Sequence, residues 1–451
     1  MRDMTEGSPF SHLWRYALPL LMANWLQLAY NAVDSMIAGR FIGQNALAAE
    51  GIAAPVMNLV ILSISGLCIG AGILMSEHFG AKDLPSLRKT VAVTLRSGIL
   101  LSCLLAMAGF LLSGSIMKWM GVPDDISGIT AVYLRITFLG APFTFTYNAL
   151  AAVMKSVGDS KTPLKFLAFC SILNAVLDLI LLGIFHMGII TSASTTLFAE
   201  AASAFLAIRY LIVKNPELLP SGSEWNYDRD VFRDVVHYGA PTAIQQAIQP
   251  IGKVLIQGQV NLLGVSSIAA FHAVTRADDF ACIPEQGISS AISTYIAQNR
   301  GAGKEERIRK GFYTGIAMEV SYGCLIALIT FVLRAFIVGM FVSGEAAEDV
   351  VAIGSNYLSL MAFLYILPGL TNGFQGFFRG MGRMRMTIIG TAVQISFRTL
   401  FTYILAPKIG IRGVAMGSGI GWGLMLLLEA PIALWSLRKI RRKTQTTGLN
   451  E

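Results

Sequence analysis

The sequence contains few charged residues for its length. Only 14% of its 451 residues are Asp, Glu, Lys or Arg, whereas 54% are hydrophobic and the mean hydropathy is +0.60. A soluble globular domain carries about 25% charged residues. This chain has too few polar side chains to cover a water-soluble surface of its size, so its composition excludes a soluble protein and predicts a polytopic membrane protein.

Cysteine and histidine are also scarce, with five of each. The cysteines all lie in apolar segments without the spacing of metal ligands, so we expect packing residues and no disulfide. The histidines are scattered, and no nucleophile–base arrangement accompanies them. The acidic pair in RADDF (276–280) stands alone, where metal-dependent prenyl transfer needs a repeated acidic motif. The sequence therefore does not predict an enzyme or a bound cofactor.

Long hydrophobic runs are abundant. Twelve windows of about 20–30 residues, each long enough to cross a bilayer, fall near 13–37, 46–76, 89–113, 126–157, 163–186, 188–214, 231–262, 267–298, 309–340, 350–379, 384–406 and 411–438. They predict an all-α polytopic membrane protein with twelve transmembrane helices. We expect an N-terminal six-helix lobe (1–214), an inter-lobe linker (215–230), a C-terminal six-helix lobe (231–438) and a tail (439–451).

The net charge of +8 is distributed as a topology signal. Lys and Arg cluster in alternate loops, including 82–89 and 300–310, and in the segment 438–443. By the positive-inside rule, these loops and both termini are cytoplasmic in a multi-pass plasma-membrane protein. The positive charge then contacts anionic lipids of the bilayer and does not indicate nucleic-acid binding.

The two predicted lobes resemble each other. The segment SGLCIGAGILMSEHFGAKD (65–83) shares its frame with QGISSAISTYIAQNRGAGK (286–304), and Asn148 aligns with Asn372 in a second frame. Each lobe has an even number of spans, so both have the same orientation in the membrane. This arrangement is typical of transporters that have a cavity between two bundles.

A polar stripe runs along the first predicted helix. Asn24, Gln27, Asn31 and Asp34 are spaced by three, four and three residues, so a helix places them on one face. Pro19 precedes the stripe and predicts a kink. A charge in the middle of a membrane costs about 3 kcal/mol or more, so Asp34 needs either a partner or a function.

A second acid occurs in the fifth predicted helix. Asn174 and Asp178 are one turn apart, and Thr195 and Thr196 can add hydroxyls from the next helix. Carboxyl groups in this setting can alternate between protonated and ionised forms, or bind sodium together with Asn and Thr oxygens. A structural role, in which Arg135 neutralises one acid, remains open.

The second lobe keeps a polar stripe without the acid. When Pro19 is aligned with Pro241, the residues that replace the stripe are Gln246, Gln249, Lys253 and Ile256. This lobe has charges of its own at Arg276, Asp278, Asp279, Glu285, Glu319 and Arg398. They either pair and lock the bundle, or form a wall that faces substrate or binds a second ion. Glu429, near the end of the last span, is expected to be interfacial or paired.

At these residues the sequence resembles the MATE family of multidrug and toxic compound extrusion antiporters. The resemblance extends over nearly the whole chain. Its most specific segments are NAVDSMIAGRFIGQNALAAEGIAAP (31–55), MKSVGDSKTP (154–163), LNAVLDLILLGIFHMGI (173–189) and FQGFFRGMGRMR (374–385).

The resemblance implies two pseudo-symmetric six-helix bundles around a central cavity. It also implies export of organic compounds, often cationic or amphipathic, in exchange for H⁺ or Na⁺ by alternating access. The matching coupling-ion residues are Asp34, Asn174, Asp178 and Thr196, with Pro19 as the hinge. The resemblance is to the N-lobe-coupled bacterial and archaeal type, because Gln and Asn stand where another branch needs C-lobe acids. We expect no cofactor beyond the coupling ion, and a monomer.

The substrate-cavity candidates are polar residues of both lobes, namely Gln27, Asn31, Asn148, Gln246, Gln249, Lys253 and Arg398. An alternative function is that of a flippase for a lipid-linked saccharide or another anionic lipid. Lys253, Arg276 and Arg398 favour this alternative because their charges suit a pyrophosphate. A channel fits less well, because a repeat with its intramembrane acids in one lobe suits alternating access.

Overall fold

The computed structural model describes residues 2–42, 44–342 and 347–447. Within these ranges the chain forms α-helices joined by short turns, without a β-strand. The helices are α1 (Pro9–Phe41), α2 (Gln44–Gly80), α3 (Leu84–Trp119), α4 (Asp124–Ser156), α5 (Lys161–Asp178), α6 (Ile189–Lys214), α7 (Arg229–Val260), α8 (Val265–Cys282), α9 (Glu285–Gly301), α10 (Glu305–Gly339), α11 (Ala347–Leu364), α12 (Ile366–Gly380), α13 (Met384–Ile409) and α14 (Ile411–Thr447).

These helices correspond to the twelve predicted spans, two of which are broken. The window 267–298 holds α8 and α9, and the window 350–379 holds α11 and α12, which are bent by 41°. Pro284 lies between α8 and α9, and Pro368 is the third residue of α12. Proline has no N–H to donate to the preceding turn, so a helix cannot continue through either position without losing a hydrogen bond.

Eight of the described helices are long and apolar enough to cross a membrane, or nine spans if the bent pair counts as one. The helices outside this group are α1, α7, α8 and α9. They carry the polar stripes and part of the charged residues singled out in the sequence, while Asp178, Glu319 and Arg398 lie on α5, α10 and α13 of the apolar group. Polar side chains of membrane helices face a bundle interior or a water-filled cavity.

The chain forms two compact units. The first contains the residues up to Asp3 and Met22–Ala243, and the second contains Met4–Leu21 and the chain from Ile244 onward. The start of α1 thus packs within the second unit, and the start of α7 within the first. The lobes expected from the sequence, 1–214 and 231–438, differ from the compact units at these two helices and stay a prediction.

Residues 215–230, expected to be a linker, fold onto the first unit. Arg88 Nε of α3 donates to Glu224 Oε1 at 2.7 Å, and Trp225 Nε1 donates to the Pro220 carbonyl at 3.1 Å. The Ser221 backbone N–H and the Arg88 guanidinium lower the pKa of the Glu224 carboxyl below its ordinary value. This segment is therefore held by specific polar contacts.

The internal repeat is visible in the backbone of the turns. Lys82 has a φ of 60° and Gly303 a φ of 67° at equivalent positions, after α2 and α9. Gly158 and Gly382 form a second equivalent pair, with φ of 83° and 71°. The left-handed conformation favours glycine, so Lys82 is the one strained member of the two pairs.

Candidate functional site

The first unit places an acid where a helix changes its pitch. Helix α5 ends at Asp178, and the chain continues as a wider π-helical turn over Leu179–Ile184. Such turns are rare and occur frequently at functional sites. Asp178 and Asn174, one turn before it, are each 1% exposed.

Both oxygens of the Asp178 carboxyl have hydrogen-bond donors. The Thr195 hydroxyl of α6 donates to Oδ1. With its nitrogen toward the acid, the Asn174 amide donates to Asp178 Oδ2 at 3.1 Å and to the Tyr30 hydroxyl at 2.7 Å, and its oxygen accepts the Thr196 N–H at 3.1 Å. Buried polar groups need such partners, and here α1, α5 and α6 supply them to one another.

Asp34 completes this acid site. It is half-buried on α1 and lies within hydrogen-bonding reach of the Asp178 carboxyl. Two neighbouring carboxyl groups cannot both stay ionised without a cation or a proton between them. The structure thus groups Asp34, Asn174 and Asp178, as the sequence and its family resemblance suggested. The hydroxyl of the fourth candidate, Thr196, contacts Tyr30, and it is the Thr195 hydroxyl that donates to Asp178.

Sequence reasoning missed two further acids in the first unit. The Ser192 hydroxyl of α6 donates to Glu50 Oε1 of α2 at 3.3 Å, and the Glu200 carboxyl of α6 bonds to Thr144 of α4. A signal was present, because Ser192, Thr196 and Glu200 are spaced by four residues and so share a helix face. Glu50 had no such polar neighbours in the sequence to single it out.

The other first-half candidates lie outside these contacts. Gln27 and Asn31 are exposed on α1, and Asn148 Nδ2 donates to the Thr144 carbonyl of its own helix at 2.8 Å. Pro19 lies inside α1, which continues through it. The roles assigned to these four residues as cavity lining and hinge stay predictions.

The second unit contains a cavity of about 520 Å³. Its charged lining comprises Lys253, Arg276, Asp278, Asp279 and Arg398, and Gln249 lines it as well. The candidate Gln246 is not part of the lining, whereas its neighbour in the sequence, Gln245, is. A step of one residue turns a helix by about 100°, and the alignment of the two halves by their prolines was not accurate enough to separate these two positions.

The charges of this cavity are unevenly compensated. Lys253 Nζ pairs with Asp279 Oδ1 at 3.2 Å, and Asp278 accepts a hydrogen bond from the Tyr365 hydroxyl. The Arg398 guanidinium lies over Trp422 at 5.9 Å, and its buried Nε has no hydrogen-bond partner among the described residues. Three cationic and two acidic side chains line the cavity, so its wall carries an excess of positive charge.

Comparison with known proteins agrees with the repeat. The MatE family model matches residues 19–180 and 241–404, so its two matches begin at the aligned prolines. The probable multidrug resistance protein YpnP of Bacillus subtilis is 28% identical over 426 residues, which cover 93% of this chain and 94% of that protein. A Shewanella oneidensis protein named FAD transporter is 24% identical over 320 residues, which cover 70% of each chain.

A solved structure shares the fold. It is described as the outward-facing conformation of a multidrug resistance MATE family transporter of the MOP superfamily. The TM-score is 0.91 at 19% identity, and the match covers 97% of this chain and 98% of that one.

Proposed function

Because the chain belongs to the MatE family, whose members are transporters and not enzymes, we propose that it is a secondary active multidrug efflux antiporter. It exports organic compounds from the cell in exchange for H⁺ or Na⁺, by alternating access. It works as a monomer in the plasma membrane, with both termini in the cytoplasm. The names of its relatives as multidrug resistance proteins support the substrate class.

The observation that carries the coupling mechanism is the contact between the Asp34 and Asp178 carboxyl groups. A proton or a sodium ion relieves the repulsion between them, and its release restores it. The site is built from α1, α5 and α6, so its occupancy changes how these helices pack. The coupling ion binds one orientation of the transporter better, and the substrate binds the other better. The two are therefore exchanged across the membrane.

The test is transport in liposomes that contain the purified protein. Ethidium flux is measured under an imposed pH gradient and, separately, under a sodium gradient, beside the variants Asp34→Asn and Asp178→Asn. The control is Glu306→Gln, because Glu306 is an exposed acid paired with Lys310 on α10. We expect saturable flux that one gradient drives, with that drive lost in both Asp variants and kept in the control. Full ion-driven export in both Asp variants would refute N-lobe coupling.

A second candidate function is the transport of an anionic compound, including the flipping of a lipid-linked saccharide. The specific observation is the positive wall of the second-unit cavity, where Arg398 Nε is buried and receives no partner from the part of the chain that the structure describes. The relative named FAD transporter supports an anionic cargo. In the same liposomes, flux of an anionic dye without flux of ethidium would favour this candidate.

A further inference from the structure

Two glutamates of the second unit lie in its interior with few partners. Glu285, the first residue of α9, and Glu319 of α10 are both 0% exposed. Neither carboxylate oxygen of Glu319 has a hydrogen-bond partner, nor does Glu285 Oε1. The one bond of the pair is the donation from Asn372 Nδ2 to Glu285 Oε2 at 3.4 Å. Three of these four buried oxygens are thus unsatisfied by the described residues.

Helix α12 packs against both glutamates. A Cβ added at Gly369 would lie 3.2 Å from the Glu319 carbonyl oxygen and 3.5 Å from Glu285 Oε1. A Cβ added at Gly373 would lie 3.5 Å from Glu319 Cγ. Two glycines one turn apart therefore let both glutamates approach the backbone of the same helix.

The basic group nearest this pair forms no close ion pair with it. Arg379 of α12 acts on Glu319 through its charge, but it donates through Nη2 to Ser289 Oγ at 2.7 Å, and its Nε has no partner among the described residues. Among the described residues, no ion pair within 4.0 Å joins Arg379 to either glutamate. The other titratable groups that interact with the pair are Cys282 at the end of α8 and Tyr322 of α10, whose hydroxyl donates to the Ala281 carbonyl. Asp278 and Asp279 of α8 act on Cys282, and Glu429 of α14, which accepts from Gln375, acts on Arg379.

We propose that Glu285 and Glu319 form a proton-binding site of the second unit. An ionised carboxylate with so few donors and no close counter-charge is very costly in such an interior, whereas a protonated carboxyl needs far less compensation. The pair therefore binds protons. Sodium binding is the alternative, and the test below separates it from proton binding.

The site is one side chain away from the cavity. Asn372, which donates to Glu285, lines the cavity, as do Cys282 and Gln286 on either side of the α8–α9 break. A ligand that takes the hydrogen bond of Asn372 removes the one donor of Glu285. Binding of substrate in this cavity and binding of protons at the pair thus influence each other, independently of the acids in the first unit.

This inference goes beyond the proposed function, whose coupling site lies in the first unit, and it is tested without transport. The assay is infrared spectroscopy of the purified protein in lipid, in an Asp34→Asn/Asp178→Asn background that removes the first-unit acids. A protonated carboxyl shows a C=O band that shifts when ¹H is exchanged for ²H. We expect this band to persist in the background and to lose the area of about one carboxyl in each of Glu285→Gln and Glu319→Gln.

Glu306→Gln, on the same helix as Glu319 but exposed and paired with Lys310, is the control and leaves the band unchanged. Glutamine matches the protonated form in shape and charge, so both variants should keep the thermal unfolding temperature of the parent at neutral pH. If a variant does not fold, the glutamate that it replaces is ionised in the parent protein, and the proposal is overturned. It is equally overturned if neither substitution reduces the band, or if sodium at fixed pH removes it. A failure of ethidium transport bears on the first-unit site and leaves this result untouched.

Discussion

Arg398 provides the sharpest test of what the second-unit cavity binds. Its guanidinium is held over Trp422, and its buried Nε has no partner within residues 2–42, 44–342 and 347–447. A hydrogen bond to a charged group contributes about 1.5–3 kcal/mol, and each 1.4 kcal/mol is about tenfold in affinity. An anion that accepts from Arg398 should therefore bind about 10–100-fold more weakly to Arg398→Gln.

The assay is calorimetric titration of the detergent-purified protein with fluorescein, an anionic dye, and with ethidium, a cationic one. Lys253→Gln is the matched control, because Lys253 is already paired with Asp279 and its side chain is 64% exposed. An exposed ion pair contributes about 0–1 kcal/mol, so this variant should weaken fluorescein binding by less than about tenfold. Ethidium binding should not weaken in either variant.

Equal loss of fluorescein binding in both variants would refute this reasoning, because it would show a diffuse positive field and not a single unpartnered donor. Unchanged fluorescein binding in Arg398→Gln would show that the arginine is structural. It would also remove the main support for an anionic cargo.

Three further predictions concern stability, each measured as thermal unfolding of the purified protein. Lys82→Gly should stabilise the chain by about 1–2 kcal/mol, since it relieves a left-handed residue at the position that Gly303 occupies in the repeat, and Lys82→Ala should not. Asp83→Ala should cost about 1 kcal/mol because it removes the N-cap bond to the Ser86 N–H. Ser86 lowers the pKa of Asp83, so this contribution is present above the ordinary Asp pKa of about 3.9 and disappears as pH falls through the lowered value. Gly98→Ala should destabilise by about 1–3 kcal/mol, because its Cβ would lie 1.7 Å from Phe145 Cζ.

The sequence could single out part of the first-unit acid site because that part has a local signal. Asn174 and Asp178 are one turn apart, and an acid inside a long apolar run is costly enough to be noticed. The distribution of hydrophobic runs likewise predicted the helices. What joined Asp34 to this pair was the family resemblance, since no spacing rule connects residues 34 and 178.

The sequence could not predict features that depend on tertiary packing. Hydropathy averages over a window, so it did not detect the breaks at Pro284 and Tyr365 inside apolar runs. Nor did it separate Glu285 and Glu319, three of whose four carboxylate oxygens have no partner among the described residues, from Asp279, which is paired. These acids lie in similar sequence surroundings, and their different states follow from which helix packs against each of them.

The two halves of this chain share a backbone frame but not a distribution of charge. Equivalent turns have a residue in the left-handed conformation at the same place, at 82 and 303 and at 158 and 382. The acid at position 34 is replaced by Ile256, while the buried acids of the second unit lie on α9, α10 and α14, at positions with no counterpart in the first-unit site. Turn conformation is constrained by the fold itself, whereas a buried charge is constrained by what it binds. Conserved turns with displaced acids are therefore what we expect if the two units bind different ligands.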